Sequence, residues 1–234
     1  MTTSWIFGDS FSQSMINSNQ NYIDICRNNG IEPQPGWDIK LSKHLGTKVI
    51  NTSIGGNSPQ GILDDFISNM NKFRKGDYVF ISSSPTVRTV GYDDNNHKIQ
   101  TWNLEMMRHN IDDAQNTTKY LYGTPNIVLK NKNLILDYVL TFLAPYEEEW
   151  QLYFEGKIKE FIELFRKQDI RVFYWTHKLW DNFSTVEHDT KGIIIDDHWG
   201  VTGQHDFIEY MKKRIDNNIY FSNEVGPPKN KRII

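Results

Sequence analysis

Three side chains near opposite ends of the 234-residue chain are of the types that serine-dependent ester cleavage requires. Ser10 follows a short apolar stretch at the amino terminus, and Asp196 and His198 stand together far downstream. A serine hydroxyl is a weak nucleophile until a base accepts its proton, and that base needs a third group to orient it. Ser10 as nucleophile, His198 as base and Asp196 as orienting acid together predict attack on an acyl group.

The spacing of the downstream pair favours these roles. Residues two apart in an extended segment project to the same side, so the Asp196 carboxylate can hold one ring nitrogen of His198. Asp197 is the alternative orienting acid. Two further histidines are weaker candidates: His205 is expected on the surface of the last helix, and His177 follows a strand but has no partner that the sequence identifies.

Each short motif also has an interpretation without catalysis. Gly8-Asp9-Ser10 is a common turn sequence, and Asp197 is placed to cap the last helix. Asp9, Asp196 and His198 are also compatible with a metal site. The joint occurrence of these motifs at the ends of an α/β alternation favours the hydrolase interpretation.

The pattern of apolar stretches predicts how these distant side chains meet. Strands are predicted at residues 4–7, 48–51, 78–81, 170–175 and 192–195. Helices are predicted around 22–27, over 37–45, from Pro59 to Met70, over 134–167 with a break near Ala144-Pro145, and over 201–215. Alternating strands and helices indicate a parallel sheet covered by helices on both faces.

Sites in such sheets form beyond the carboxyl ends of the strands. Polar or glycine-rich segments follow several predicted strands, so the fold would bring them to one edge. These segments are Ser10, Gly55-Gly56-Asn57, Ser82–Thr86 and Asp196–His198.

The same edge offers donors for a negatively charged oxygen. The backbone N–H of Ser10 lies at the start of a turn or helix, where anions are favoured. Gly56 permits close backbone approach, so its N–H is a second donor, with the Asn57 side chain nearby.

Composition limits the range of functions. The net charge of −3 predicts no nucleic-acid partner, and the single cysteine, Cys26, excludes an intrachain disulfide and has no nucleophile motif around it. No signal peptide and no membrane-spanning stretch is recognisable, so a soluble protein of the cytoplasm or of a virion is expected. The oligomeric state is not predicted.

The chain is expected to form a single domain, residues 1–234, with a polar insertion at about 86–133. A long insertion beside a strand end often forms a lid or a binding loop. A structural excursion or an oligomer contact is the equal alternative.

On these motifs the chain resembles the SGNH/GDSL hydrolase superfamily. Residues Ile6–Phe11 match its first block, Val49–Ser58 its second, with Gly56 in the place of the oxyanion glycine, and Asp196–His198 its last. In the last block an acid is followed by any one residue, then by histidine and tryptophan. This order is closest to branches of the superfamily that act on O-acetyl groups of polysaccharides. The resemblance implies a three-layer α/β/α, flavodoxin-like fold with a five-stranded parallel sheet, an acyl-enzyme, and no cofactor or metal.

The third block of the superfamily is different in this chain. Members usually carry an asparagine after the third strand that donates to the oxyanion, and here the stretch Ser82–Arg88 contains none. A hydroxyl of Ser84 or Thr86, or the Asn57 amide, is a substitute, and Arg88 is a candidate substrate contact.

The triad and the resemblance together predict a serine esterase that acts on a small acyl ester of a carbohydrate, with acetyl as the first candidate for the acyl group. The alternatives are an O-acyltransferase for glycans and an inactive carbohydrate-binding or structural module of a phage particle.

Overall fold

The computed structural model describes residues 1–12, 20–28, 30, 32, 35–54, 57–84, 91–92, 98–99, 141, 144–183, 199 and 201–222. The strand predicted at 192–195 and most of the predicted insertion at 86–133 lie outside the described residues. Most of residues 134–143, which begin the helical stretch predicted at 134–167, also lies outside the described residues.

Seven strands are described, and five of them form one parallel sheet in the order β2-β1-β3-β6-β7. Their bounds are β1 Thr3–Phe7, β2 Lys48–Asn51, β3 Tyr78–Ser82, β4 Gly91–Tyr92, β5 Lys98–Ile99, β6 Arg171–Trp175 and β7 Phe221–Ser222. The short strands β4 and β5 make a separate antiparallel pair. The five-stranded parallel sheet is confirmed, and the strand beside β6 is β7, which the sequence did not predict.

The helices connect the strands as the alternation predicted. Their bounds are α1 Gln20–Asn28, α2 Trp37–His44, α3 Pro59–Asn69, α4 Glu147–Arg166 and α5 Val201–Asp216, with 3₁₀ helices at Ser10–Ser12, Met70–Lys72, Ala144–Tyr146 and His177–Asn182. Helix α3 begins where expected, because Ser58 accepts a hydrogen bond from the Gly61 N–H at 3.1 Å and Pro59 occupies the first turn. None of the helices in the described ranges has the length and apolarity needed to cross a membrane.

Two apolar cores, one on each face of the sheet, make the fold three-layered. Along β1, Trp5 and Phe7 face the core that α3 and α4 cover, whereas Ile6 faces the core under α2 and α5. Successive strand residues point to opposite faces, so a strand buried on both sides is apolar throughout. The predicted α/β/α architecture is confirmed, and it leaves the carboxyl edge of the sheet for polar side chains.

Candidate active site

The turn after β1 is organised by the buried carboxylate of Asp9. Its Oδ1 accepts a hydrogen bond from the Phe11 N–H at 3.1 Å, and its backbone oxygen accepts from the Ser12 N–H at 3.0 Å. These contacts close the 3₁₀ helix that starts at Ser10. Asp9 therefore shapes the turn on which Ser10 lies, which confirms the predicted turn after the first strand.

Gly8 is required at the end of β1 for steric reasons. A Cβ atom at this position would collide with the Ser82 Oγ and the Ser12 Oγ, and would lie 2.6 Å from the Ser12 Cβ. Those two hydroxyls are themselves hydrogen-bonded at 2.7 Å. The missing side chain of Gly8 thus lets the turn pack directly onto the end of β3.

Two side chains from neighbouring elements hold the backbone of the turn. Asn51, at the end of β2, donates its Nδ2 to the Ser12 carbonyl at 2.7 Å and to the Asp38 Oδ2 at 2.9 Å. Trp37 donates its indole N–H to the Phe11 carbonyl at 3.1 Å. Burial raises the pKa of Asp38, and the hydrogen bond from Asn51 offsets part of that rise. The 3₁₀ helix is thus fixed to β2 and α2 through its own carbonyl groups.

The loop after β2 runs along the same edge. Thr52 donates its N–H to the Ile6 carbonyl at 2.9 Å, and Ile54 donates to the Gly8 carbonyl at 3.2 Å. Asn57, which is buried, donates its Nδ2 to the Asp65 Oδ2 of α3 at 3.2 Å. The predicted oxyanion side chain is therefore engaged with α3 through one of its two amide hydrogens. Gly56 lies outside the described residues.

The end of β3 and the loop that follows it carry three consecutive serines, Ser82 to Ser84, all fully buried. Ser82 contacts the β1 turn through Ser12, as described above, whereas Ser83 contacts His177. Within the described part of the chain, the Ser84 Oγ has no hydrogen-bond partner. Thr86 and Arg88, the other predicted contacts of this loop, lie outside the described residues.

His177 has a partner that the sequence did not reveal. The Ser83 Oγ accepts a hydrogen bond from the His177 backbone N–H at 2.9 Å and lies 3.3 Å from the ring Nδ1. The two residues are 94 positions apart, and they meet because β3 and β6 are neighbours in the sheet. No local motif links them, so only a correct strand order would have predicted the contact.

Trp199, which lies just before helix α5, packs against the turn after β1. Its ring is buried and meets the Phe11 ring edge-on, with the centroids 5.5 Å apart. It also packs on Phe183 and Phe207, at centroid distances of 5.1 and 4.5 Å. Phe11 directly follows Ser10 in the sequence, and Trp199 directly follows His198. The residues that directly follow the two predicted catalytic residues are therefore in contact with each other.

The remaining candidates divide into described and undescribed positions. Asp196, Asp197 and His198 lie outside the described residues, so neither the triad nor the metal alternative is tested. His205 is exposed on α5, as the sequence predicted. Its ring Nδ1 lies 3.7 Å from the Asp206 Oδ1. Cys26 is buried and takes part in no disulfide. Among the described residues, no group of three or more His, Cys, Asp or Glu side chains is arranged so that it could hold a metal ion.

A parallel α/β/α sandwich with polar residues gathered at its carboxyl edge is the class of protein that the fold defines. No family model and no curated protein matches the chain. Among solved structures, the chain is similar to the YXIM protein of Bacillus subtilis, with 14% identity and a TM-score of 0.37 over 95% of this chain. The match spans only 43% of that protein's length.

A second similar structure is a protein from Desulfitobacterium hafniense assigned to the G-D-S-L family of lipolytic proteins. It shares 12% identity and a TM-score of 0.35, over 91% of this chain and 99% of the other. Similarities this low leave the function to be argued from the residues of this chain.

Proposed function

We propose that the protein is a serine esterase that removes a small acyl group from a hydroxyl of a carbohydrate. Acetyl is the first candidate for that acyl group. Ser10 is the nucleophile, His198 the general base and Asp196 the acid that orients the imidazole. The substrate class depends on the resemblance to branches that act on O-acetyl groups, and the chemistry depends on the site itself.

The contact between Phe11 and Trp199 is the single observation that supports this proposal most. Their ring centroids are 5.5 Å apart, and each ring belongs to the residue next to a proposed catalytic side chain. Phe11 and Trp199 are 188 positions apart, as 199 − 11 gives, and the fold brings them into contact. A contact between the sequence neighbours of Ser10 and His198 supports the proposal that these two residues act together.

The proposed reaction proceeds through an acyl-enzyme. The Ser10 Oγ attacks the ester carbonyl while His198 accepts its proton, and the tetrahedral intermediate then expels the alcohol, which takes that proton back from His198. Water attacks the acyl-enzyme with His198 again as base, which releases the carboxylic acid and restores Ser10. Asp196 stabilises the imidazolium that forms in each half-reaction.

Backbone donors are proposed to stabilise the oxyanion. The Ser10 N–H lies at the first position of the 3₁₀ helix, where an N–H has no acceptor within the helix. The Gly56 N–H is the proposed second donor, and each such donor can be worth about 3 kcal/mol in the transition state. The buried Ser84 Oγ, without a partner in the described part of the chain, supports a hydroxyl in the place of the absent asparagine.

Hydrolysis of p-nitrophenyl acetate by the wild type and by Ser10→Ala tests the proposal. We expect the variant to lose at least about a thousandfold in kcat/KM, because no other group replaces the nucleophile. Ser68→Ala, which changes an exposed serine on α3, is the matched control and should equal the wild type. Equal rates for Ser10→Ala and the wild type would refute the esterase.

The pH profile supplies a second test of the base. We expect kcat/KM to fall as the pH drops from neutral into the acid range, because a protonated imidazole cannot accept the Ser10 proton. A flat profile from pH 5 to pH 7, a window about the usual titration of histidine, would contradict His198 as base.

The altered third loop supports one alternative. The superfamily that the chain resembles usually carries an asparagine donor where Ser82, Ser83 and Ser84 stand, and the absence of that asparagine favours an inactive carbohydrate-binding or structural module. O-acyl transfer to a glycan uses the same residues as hydrolysis. Release of acetate into water, transfer of acetyl to an added glycan, and binding of a glycan without turnover distinguish the three.

A further inference from the structure

Asn51, the last residue of β2, uses both hydrogens and the oxygen of its side-chain amide. Its Nδ2 donates to the Ser12 carbonyl at 2.7 Å and to the Asp38 Oδ2 at 2.9 Å, and its Oδ1 accepts from the Ser53 N–H at 3.0 Å. An asparagine amide has only these two N–H donors, so both are taken. One side chain therefore joins β2, α2 and the turn after β1.

These three partners permit only one orientation of the Asn51 amide. With its nitrogen and oxygen exchanged, the oxygen would face the Ser12 carbonyl and the Asp38 carboxylate, which are acceptors as well, and the nitrogen would face an N–H. Ser12 and Asp38 are 1% and 2% exposed, so an acceptor left unpaired there would cost the desolvation of its oxygen. The position therefore requires an amide, and an isosteric carboxylate does not replace it.

The Ser12 carbonyl lies at the end of the short helix that begins with Ser10. The last carbonyl groups of a helix have no donor within it, so a donor from outside must pair with them when they are buried. In this 3₁₀ helix the Phe11 carbonyl accepts from the Trp37 indole N–H at 3.1 Å, and the Ser12 carbonyl accepts from Asn51. The peptide dipoles of a helix are aligned, so holding its carbonyl end also sets the direction of the Ser10 N–H at the other end.

The distance over which this contact acts is short. A 3₁₀ helix rises about 2.0 Å per residue, so the Ser10 backbone lies about 4 Å along the helix axis from that of Ser12. A displacement of the Ser12 carbonyl therefore moves Ser10 by nearly the same amount. A misplacement of a reacting group by about 1 Å can cost about a hundredfold in rate.

We propose that Asn51 is a positioning residue of the reaction, which holds the Ser12 carbonyl and thereby directs the N–H and the hydroxyl of Ser10 toward the acyl group. Asp38 keeps the Asn51 amide in the orientation that this contact needs. The proposal rests on the esterase function proposed above. Asn51 acts through the turn and not through the substrate, so its loss should lower kcat and leave KM unchanged.

Asn51→Leu tests this role, because it removes both donors and keeps a side chain of similar volume. We expect kcat for p-nitrophenyl acetate to fall by about 10- to 100-fold, with KM within about twofold of the wild type, because a displaced oxyanion donor is missed only in the transition state. An unchanged kcat would overturn the proposal.

Asp77→Asn is the matched control for a loss of stability alone. Asp77 is buried at the amino edge of the same sheet, where it accepts from the Thr3 N–H at 2.8 Å and from the Trp5 indole N–H at 3.1 Å. At a temperature where both variants are folded, this control should keep the wild-type kcat. A loss of kcat in the control equal to that in Asn51→Leu would overturn the proposal.

Exchanging the two side chains separates the connection between α2 and β2 from the contact with the turn. Asn51→Asp alone should lose both kcat and melting temperature, since it places a carboxylate against Asp38 and the Ser12 carbonyl. In the double variant Asn51→Asp with Asp38→Asn, the amide at position 38 can donate to the carboxylate at position 51, but position 51 has no donor for Ser12. We expect the double variant to regain melting temperature and to keep the low kcat. Recovery of kcat together with the melting temperature would overturn the proposal.

The turn can also be followed without catalysis, by hydrogen–deuterium exchange of the full-length protein. The Ser12 N–H donates to the Asp9 carbonyl at 3.0 Å and reports whether the turn is closed. We expect a peptide covering residues 8–13 to exchange about tenfold faster in Asn51→Leu, the effect of one lost hydrogen bond on local opening. The same peptide should exchange at the wild-type rate in Asp77→Asn. Equal exchange in the wild type and Asn51→Leu would overturn the proposal.

Failure of the esterase and failure of this role give different results. If the wild type and Ser10→Ala hydrolyse the ester equally, the esterase function fails, and the role of Asn51 in it fails as well. If Ser10→Ala loses activity and Asn51→Leu keeps the wild-type kcat, the esterase stands and only the role of Asn51 is overturned. Loss of kcat in both variants, with KM unchanged in Asn51→Leu, supports both.

Discussion

The two sides of strand β3 are built differently at the carboxyl edge of the sheet. Toward β1, Ser82 meets the Ser10 turn, which is held by the absence of a side chain at Gly8 and by donors to its carbonyl groups. Toward β6, Ser83 meets His177 through its side-chain hydroxyl, and the Tyr174 hydroxyl is hydrogen-bonded to Glu155. The first side is held by contacts with the backbone of the turn, and the second side by hydrogen bonds between side chains.

This difference separates two requirements of a hydrolytic site. A nucleophile on a tight turn needs its backbone held in place, since its own N–H is a proposed oxyanion donor. A histidine side chain is oriented by the hydrogen bonds that its ring makes with neighbouring groups. Substitutions at Gly8 should therefore act through steric overlap, and substitutions on the β6 side through lost hydrogen bonds.

Gly8→Ala should give the largest loss of stability. The added Cβ overlaps the Ser82 and Ser12 side chains in a fully packed edge, which we expect to lower the free energy of unfolding by about 3 kcal/mol. Urea unfolding measures the change. Gly156→Ala is the matched control, because a Cβ there meets nothing within 4 Å, and it should raise stability by about 0.5 to 1 kcal/mol.

Coupling to Ser82 identifies the cause of that loss. In the double variant Gly8→Ala with Ser82→Ala, part of the overlap is relieved, so the combined cost should be less than the sum of the single costs by about 1 kcal/mol. If the losses in the free energy of unfolding of the two single variants simply add, the contact with Ser82 is not the cause of the Gly8→Ala effect.

Tyr174→Phe should have an intermediate effect. It removes a hydroxyl that accepts from Gln151 and donates to Glu155, and leaves these buried groups with fewer partners. We expect a loss of about 2 kcal/mol in the free energy of unfolding, again by urea titration. A loss as large as that of Gly8→Ala would remove the distinction between the two sides of β3.

Asp38→Asn should have the smallest effect, with a definite pH dependence. Burial raises the pKa of Asp38, so the native state binds more protons than the unfolded state between the ordinary and the raised pKa. Wild-type stability therefore falls as the pH rises through that window. The asparagine avoids this cost and still offers an oxygen to Asn51, so its stability relative to wild type should rise from pH about 4 to neutral. A relative stability that falls over this range would contradict the sign of the shift.

The sequence predicted most of the sheet and less of the site. The first four strands of the sheet were predicted to within one residue at each end, because strands buried on both faces form continuous apolar stretches. Strand β7 has only two residues, too few for any pattern, and its place depends on pairing with β6. Ser10, His198 and Asp196 were chosen from motif and position, and their roles stay predictions.

The contacts that the sequence did not predict are those between distant segments. Ser83 and His177, like Phe11 and Trp199, meet only after strand order is settled, and no residue type near either position signals its partner. The reason for Gly8 likewise depends on Ser82 of another strand. A glycine in a turn is predictable from the sequence, whereas the atoms that require it are not.

Labelling with a serine-reactive fluorophosphonate tests most directly whether the Ser10 turn and the His198 segment act as one site. The reagent modifies a serine only when a base activates it. Mass spectrometry of the labelled full-length protein should find the phosphonyl group on Ser10 in the wild type and lose it in His198→Ala. Labelling of Ser10 that persists in His198→Ala, or a wild type whose Ser10 is never labelled, would contradict the account.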